Sequence, residues 1–88
     1  MWVCSVVLNH EMDSVAVSAV GNTKVEACAF INTDPIADYF FDQFPQSVID
    51  EFTDRIAKAR REGDLEDLMQ IGKKLGTNPQ IFFNKLGA

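Results

Sequence analysis

Eighty-eight residues supply one domain's worth of chain, and 47% hydrophobic with 24% charged residues excludes gross disorder. The longest apolar run falls well short of the roughly 18 residues a membrane span needs, so no membrane partner is expected. Thirteen acids against eight bases leave a net charge of −5, a balance that argues against direct nucleic-acid binding, which draws its affinity from cationic contacts to phosphate.

The apolar pattern changes period near Asn32. Before it, apolar residues alternate and β-branched types are frequent; after it, the spacing is close to 3.6. Trp2 to Asn9 reads as a strand, His10 to Asp13 as a turn, and Ser14 to Val20 as a second strand. Gly21-Asn22 has the form of a two-residue hairpin turn, since Gly supplies the positive φ a type II′ turn requires. Thr23 to Ile31 then returns as a third strand. A competing reading makes Thr23 an N-cap, with Glu26 as its capping-box partner and a helix over 24–31. The strand is favoured because its register agrees with the others: Leu8 opposes Val15, Val6 opposes Val17, and Val15 opposes Cys28. One sheet face then carries Trp2, Cys4, Val6, Leu8, Val15, Val17, Ala19, Cys28 and Phe30 as the core side. The other carries small or half-polar residues, among them Val3, Val7, Ala16, Ser18, Val25 and Ala27. Cys4 and Cys28 share a face but not a rung, which argues against a disulfide between them.

Asp34-Pro35 opens the helical half as an N-cap followed by proline. A helix over 35–43 presents Ile36, Ala37, Phe40, Phe41 and Phe44, and Pro45 interrupts it. Ser47 caps a longer helix over 48–62, with acids early and Lys58, Arg60 and Arg61 late, as the macrodipole favours. Gly63 ends that helix. Asp64 starts the next, whose stripe is Leu65, Leu68, Met69, Gly72 and Leu75, closed by Gly76. Asn78-Pro79 repeats the earlier device and predicts a last helix bearing Ile81, Phe82, Phe83 and Leu86. The expectation is a single α+β domain over 1–88, in which a three-stranded antiparallel β-meander from the N-terminal half packs against about four short helices from the C-terminal half. Most of the seven Phe are expected in its core.

Motifs for chemistry are sparse. His10 is the single histidine and lies in the predicted turn; Cys4 and Cys28 are isolated, with no metal-ligand spacing and no glycine-rich phosphate loop. No catalytic residue, metal or cofactor is expected. Two scattered cysteines and a start lacking a basic signal-peptide region point to a reducing, cytoplasmic setting. Residues 1–43 hold six acids and one base and residues 44–88 hold seven of each, so the whole net charge of −5 lies in the first half. Asp34, Asp38 and Asp42 recur every four residues and share a helix face, with Glu11 and Asp13 in the same half. This stripe is a candidate surface for a protein partner with a basic face. The small-residue sheet face (Val3, Val7, Ala16, Ser18, Val25, Ala27) is a second candidate, for a partner or a second copy, and Trp2 to Asn9, as meander edge, is a docking line for β-addition. The leading reading is a non-catalytic acidic protein that binds and modulates another macromolecule, as phage-type inhibitors of host defence proteins do; the next is a homodimeric subunit or adaptor. A DNA-binding regulator using Arg55, Lys58, Arg60, Arg61, Lys73 and Lys74 is the third, weakened by a last helix built for packing.

Overall fold

The alternation of large and small residues from Trp2 to Val20 folds as the sequence predicts. In a computed structural model describing residues 1–87, β1 (Trp2–His10) and β2 (Asp13–Gly21) form an antiparallel hairpin with Leu8 opposite Val15 and Val6 opposite Val17. Only Glu11 and Met12 lie between the strands, and Glu11 holds the left-handed φ of 55°.

The third strand is not the segment that alternation favours. Lys24–Ala29 form a short helix, α1. Thr23 Oγ1 accepts the Glu26 N–H at 3.0 Å, and the Glu26 carboxylate accepts the Asn22 N–H at 3.3 Å. This local capping overrides a period-two pattern that Ala27 and Ala29 support only weakly. Gly21-Asn22 is therefore no hairpin turn. Gly21 is needed for close approach instead: a Cβ there would lie 2.5 Å from the Ala27 backbone nitrogen, so α1 can fold back against the end of β2 only over a glycine.

The missing strand comes from the end predicted as a packing helix. Asn78–Lys85 form β3, antiparallel to the free side of β1, with Val6 opposite Ile81 and Cys4 opposite Phe83. The strand order is β2-β1-β3, which places Trp2 to Asn9 at the centre of the sheet rather than at a meander edge. With one side of β1 unpaired by the hairpin, a run of Ile and Phe has a ladder to join, and strand propensity prevails over helical spacing. Pro79 is accommodated because β3 is an edge strand.

Between α1 and β3 run α2 (Asp34–Gln43), α3 (Gln46–Ile49), a 3-10 turn over Asp50–Phe52, α4 (Thr53–Glu62) and α5 (Leu65–Leu75). Because α3, the turn and α4 are continuous, the fold is α+β with a three-stranded antiparallel sheet and four helical segments. Asp34 does not cap α2; the Asn32 side chain accepts the Asp34 N–H at 3.1 Å instead. Gly63 and Gly76 end α4 and α5 in the left-handed conformation. Arg55 of α4 donates from Nε to both carboxylate oxygens of Asp67 on α5, at 3.0 and 3.2 Å.

Cys4, Val6 and Leu8 are fully buried against Ile36, Phe40, Ile49, Ile56, Leu68 and Ile71, so the core lies between the sheet and the helices on one side. The phenylalanines divide. Phe40 and Phe44 are buried and Phe52 half-buried, whereas Phe30, Phe41, Phe82 and Phe83 are exposed. Phe30 fails as a core residue because it caps α1 instead of lying in a strand. Phe82 faces away from the helices, and Phe83 lies on an edge strand that they only partly cover. Among the described residues no helix is long and apolar enough to cross a membrane.

Candidate functional site

Strand pairing and alternation define the sheet face turned away from the helices. It carries Val3, Ser5, Val7 and Asn9 from β1, Ser14, Ala16, Ser18 and Val20 from β2, and Asn78, Gln80, Phe82 and Asn84 from β3. None of these side chains is charged, in a chain with 24% charged residues. Ser5 and Ser18 hydrogen-bond across the strands at 2.9 Å, and Phe82, 49% exposed, rises beside them. Strands of this length run about 30 Å and three span about 14 Å, giving a footprint of about 400 Å². Val3, Val7, Ala16 and Ser18 lie here as expected. Val25 and Ala27 do not, because α1 removes them from the sheet: Val25 points to solvent and Ala27 is buried.

The acidic residues separate into two groups. Asp34 and Asp38 are held by Arg60, whose Nε donates to Asp34 at 2.8 Å and whose Nη1 donates to Asp38 at 3.1 Å. Arg60 is thus kept charged, chiefly through its hydrogen bond to Asp34. Asp42, one turn further along α2, Glu11 and Asp13 have no ion-pair partner among the described residues. The hairpin turn and the end of α2 lie together: the Tyr39 hydroxyl donates to the Asp13 carbonyl at 3.2 Å, and the His10 and Phe44 rings are 4.7 Å apart. Burial first, and then the charge of Asp13, pushes the Tyr39 hydroxyl above its ordinary pKa. Three unpartnered carboxylates therefore share one end of the molecule. The sequence pattern presents the aspartates as one stripe because their partner Arg60 lies on another helix.

A third feature was not legible in the sequence. Between α5 and the inner face of β3 runs an apolar groove of about 410 Å³, lined by Leu65, Met69, Ile81 and Cys28 with Glu66, Gln70 and Lys73 at its polar margin. Lys24 of α1 lies over the rings of Trp2 and Phe83, 4.6 and 5.4 Å from their centroids. The Cys28 and Cys4 sulfurs stand 3.1 Å apart with both thiols free, nearer than the expectation of different rungs on one sheet face allows. That expectation assumed both residues in one sheet; a helix laid across β1 brings the sulfurs together from different layers. Burial, followed by the Cys28 contact, pushes the Cys4 thiol up to about 12.

Among the described residues no group of three His, Cys, Asp or Glu converges as a metal ion would require. His10 packs on Phe44 and contacts neither thiol. Of the basic residues proposed for DNA, Arg55 and Arg60 are spent on Asp67, Asp34 and Asp38, and the predicted packing helix that would have accompanied them is β3. No protein-family model matches this chain, and no curated protein or solved structure matches it.

Proposed function

We propose that this chain is a non-catalytic interaction domain that modulates another protein by docking it on the uncovered face of the sheet. The observation that carries this reading is the absence of charge from that face. An exposed sheet surface with no partner ordinarily mixes Lys, Glu and Thr among its residues, whereas the centre of an interface is depleted of charge. A footprint of about 400 Å² is roughly half of what each side of a standard interface buries, so the partner reaches beyond the face.

The acidic end extends it. Glu11 occupies a left-handed turn position that Gly or Asn fills with less strain. Asp42 stands near the C-terminus of α2, where the helix dipole disfavours a negative charge and no basic residue offsets it. Folding therefore explains neither acid, and a basic surface on the partner would. A bound inhibitor or adaptor of the cytoplasm fits these features without any reacting group.

A second copy of the chain is the alternative occupant. Its support is that an uncharged face lets two molecules of net charge −5 meet without repulsion at the contact. Its weakness is size, since two footprints of about 400 Å² fall below the roughly 1,000 Å² expected of a stable interface.

The deciding variant is A16K/S18K, two exposed positions on β2 that touch no core residue. Affinity capture from the source cells, with light scattering of the purified chain, separates the readings. Loss of a specific captured partner with an unchanged melting temperature supports partner docking. A wild-type dimer that becomes monomeric in the variant supports self-association. Capture of the same partner in equal yield by the variant removes the face from the mechanism.

A further inference from the structure

Cys4 and Cys28 are both free thiols, yet their sulfurs approach to 3.1 Å from two different layers of the fold. Disulfide bonds measure about 2.0 Å, so closure requires a movement of roughly 1 Å. The short helix α1 is the element able to supply it: six residues long, it rests on the ends of β1 and β2 with much of its outer surface in solvent. Access to the two sulfurs is unequal. Cys4 is fully buried in the central strand, whereas Cys28 is half-exposed and lines the groove beside Met69 and Ile81.

We propose that Cys4 and Cys28 form a reversible intramolecular disulfide, with Cys28 as the thiol that attacks an oxidant reaching it from solvent through the groove and Cys4 as the thiol that resolves the mixed disulfide. The oxidant class is a low-molecular-weight disulfide such as oxidised glutathione. In the first step the Cys28 thiolate attacks one glutathione sulfur. A Cys28–glutathione disulfide forms, the glutathione S–S bond breaks, and the leaving thiolate takes up the proton that Cys28 released. In the second step the Cys4 thiolate attacks the Cys28 sulfur, and a second glutathione leaves with the proton of Cys4. The two protein thiols lose two electrons and one oxidised glutathione gains them.

The order follows from the surroundings. Burial holds Cys4 as a neutral thiol, which makes it a poor first nucleophile, and it is Cys28, not Cys4, that lines the groove. Once Cys28 carries glutathione, the attacking sulfur is already in contact, so proximity offsets the small thiolate fraction. The bond staples α1 to the central strand and fixes one wall of the groove, so the shape of that wall depends on the redox poise of the surroundings.

The test incubates the whole chain in glutathione buffers of increasing oxidised fraction, traps remaining thiols with an alkylating reagent, and reads intact mass under denaturing conditions. The expected product is an unalkylated monomer two hydrogens lighter than the reduced chain, reversed by dithiothreitol, with a melting temperature raised by on the order of 10 °C. Cys28→Ser should give no such species. Cys4→Ser should accumulate the glutathione adduct at Cys28; if that variant fails to fold, a transient adduct in the wild-type time course reports the same order. Alkylation of both thiols across the whole range overturns the proposal, as does a stable adduct in the wild type or a product consisting only of covalent dimers.

Discussion

Neighbouring residues of β1 live in different solvents. Cys4, Val6 and Leu8 are fully buried beneath the helices, whereas Val3, Ser5 and Val7 alternate with them and stay only half-covered. The covered side needs its apolar residues, because burial of a Val, Leu or Ile side chain is worth about 1.5–3 kcal/mol. The uncovered side has no such need, and charged residues there would carry no folding penalty. That it holds Val, Ala, Ser, Asn, Gln and Phe and no charge is a property the packing does not demand. The contrast separates what the fold requires from what it merely permits, and the proposed docking face belongs to the second category.

The sharpest way to break this contrast is to make one change on each side. Leu8→Ala empties a fully buried site between β1 and the helices and should lower stability by about 2–5 kcal/mol. Val7→Ala, one residue away on the outer face, should stay within about 1 kcal/mol. Urea denaturation of both variants reads the difference. Equal losses would mean that the outer face is covered in solution, by a partner or by a second copy.

Gly21→Ala is expected next in size. The added methyl meets backbone atoms of Glu26 and Ala27 at 2.5–2.9 Å, and backbone cannot rotate away as a side chain could. A loss of about 1–3 kcal/mol should follow, with α1 lifting from the sheet. Hydrogen exchange should then quicken at Ala27, whose amide bonds the Thr23 carbonyl, and at Phe30, whose amide bonds the Glu26 carbonyl, while β1 keeps its protection.

Gly21 also shows where the sequence could be read and where it could not. The hairpin register, α2, α5 and the glycine C-caps followed from alternation, proline placement and helical spacing, all of which act over a few residues. Gly21-Asn22 carries the local form of a turn, but its glycine answers to a helix packed over it. Asp34-Pro35 and Asn78-Pro79 are nearly the same dipeptide, yet one opens a helix and the other a strand. What divides them is the open edge of β1, some seventy residues away from β3 in the chain, and no short-range pattern records that vacancy. The candidate sites follow the same rule. Val3, Val7, Ala16 and Ser18 were placed by alternation, while the groove was hidden because it exists only where α1, α5 and β3 meet, and the sulfur pair because it exists only where α1 crosses β1.

Alkali should produce a graded effect, confined to the covered side. In the unfolded chain Cys4 ionises near its ordinary value of 9.0, whereas in the fold it holds its proton up to about 12. The stability present below pH 9 therefore declines between pH 9 and 12, since only the unfolded chain releases the proton there. The slope contributed by this group is at most about 1.4 kcal/mol per pH unit. Cys4→Ala, refolded and titrated in parallel, should show a flatter decline over that window; identical slopes would mean that the thiol is not shielded.

The smallest effect on stability, and the most informative about the surface, belongs to Arg60. Its guanidinium joins α4 to Asp34 and Asp38 of α2, but all three side chains are well exposed, so salt and water already screen the contact. Arg60→Gln should therefore leave thermal unfolding close to wild type, with any difference vanishing in high salt. Its electrostatic consequence is larger: Asp34 and Asp38 lose the cation that masks them, and the acidic end of Glu11, Asp13 and Asp42 becomes a continuous stripe along α2. If a basic partner docks there, association with Arg60→Gln should be faster than with wild type at low ionic strength, with the advantage fading as salt rises. Unchanged association at low salt would confine binding to the uncharged sheet face and leave the carboxylates a part in neither folding nor recognition.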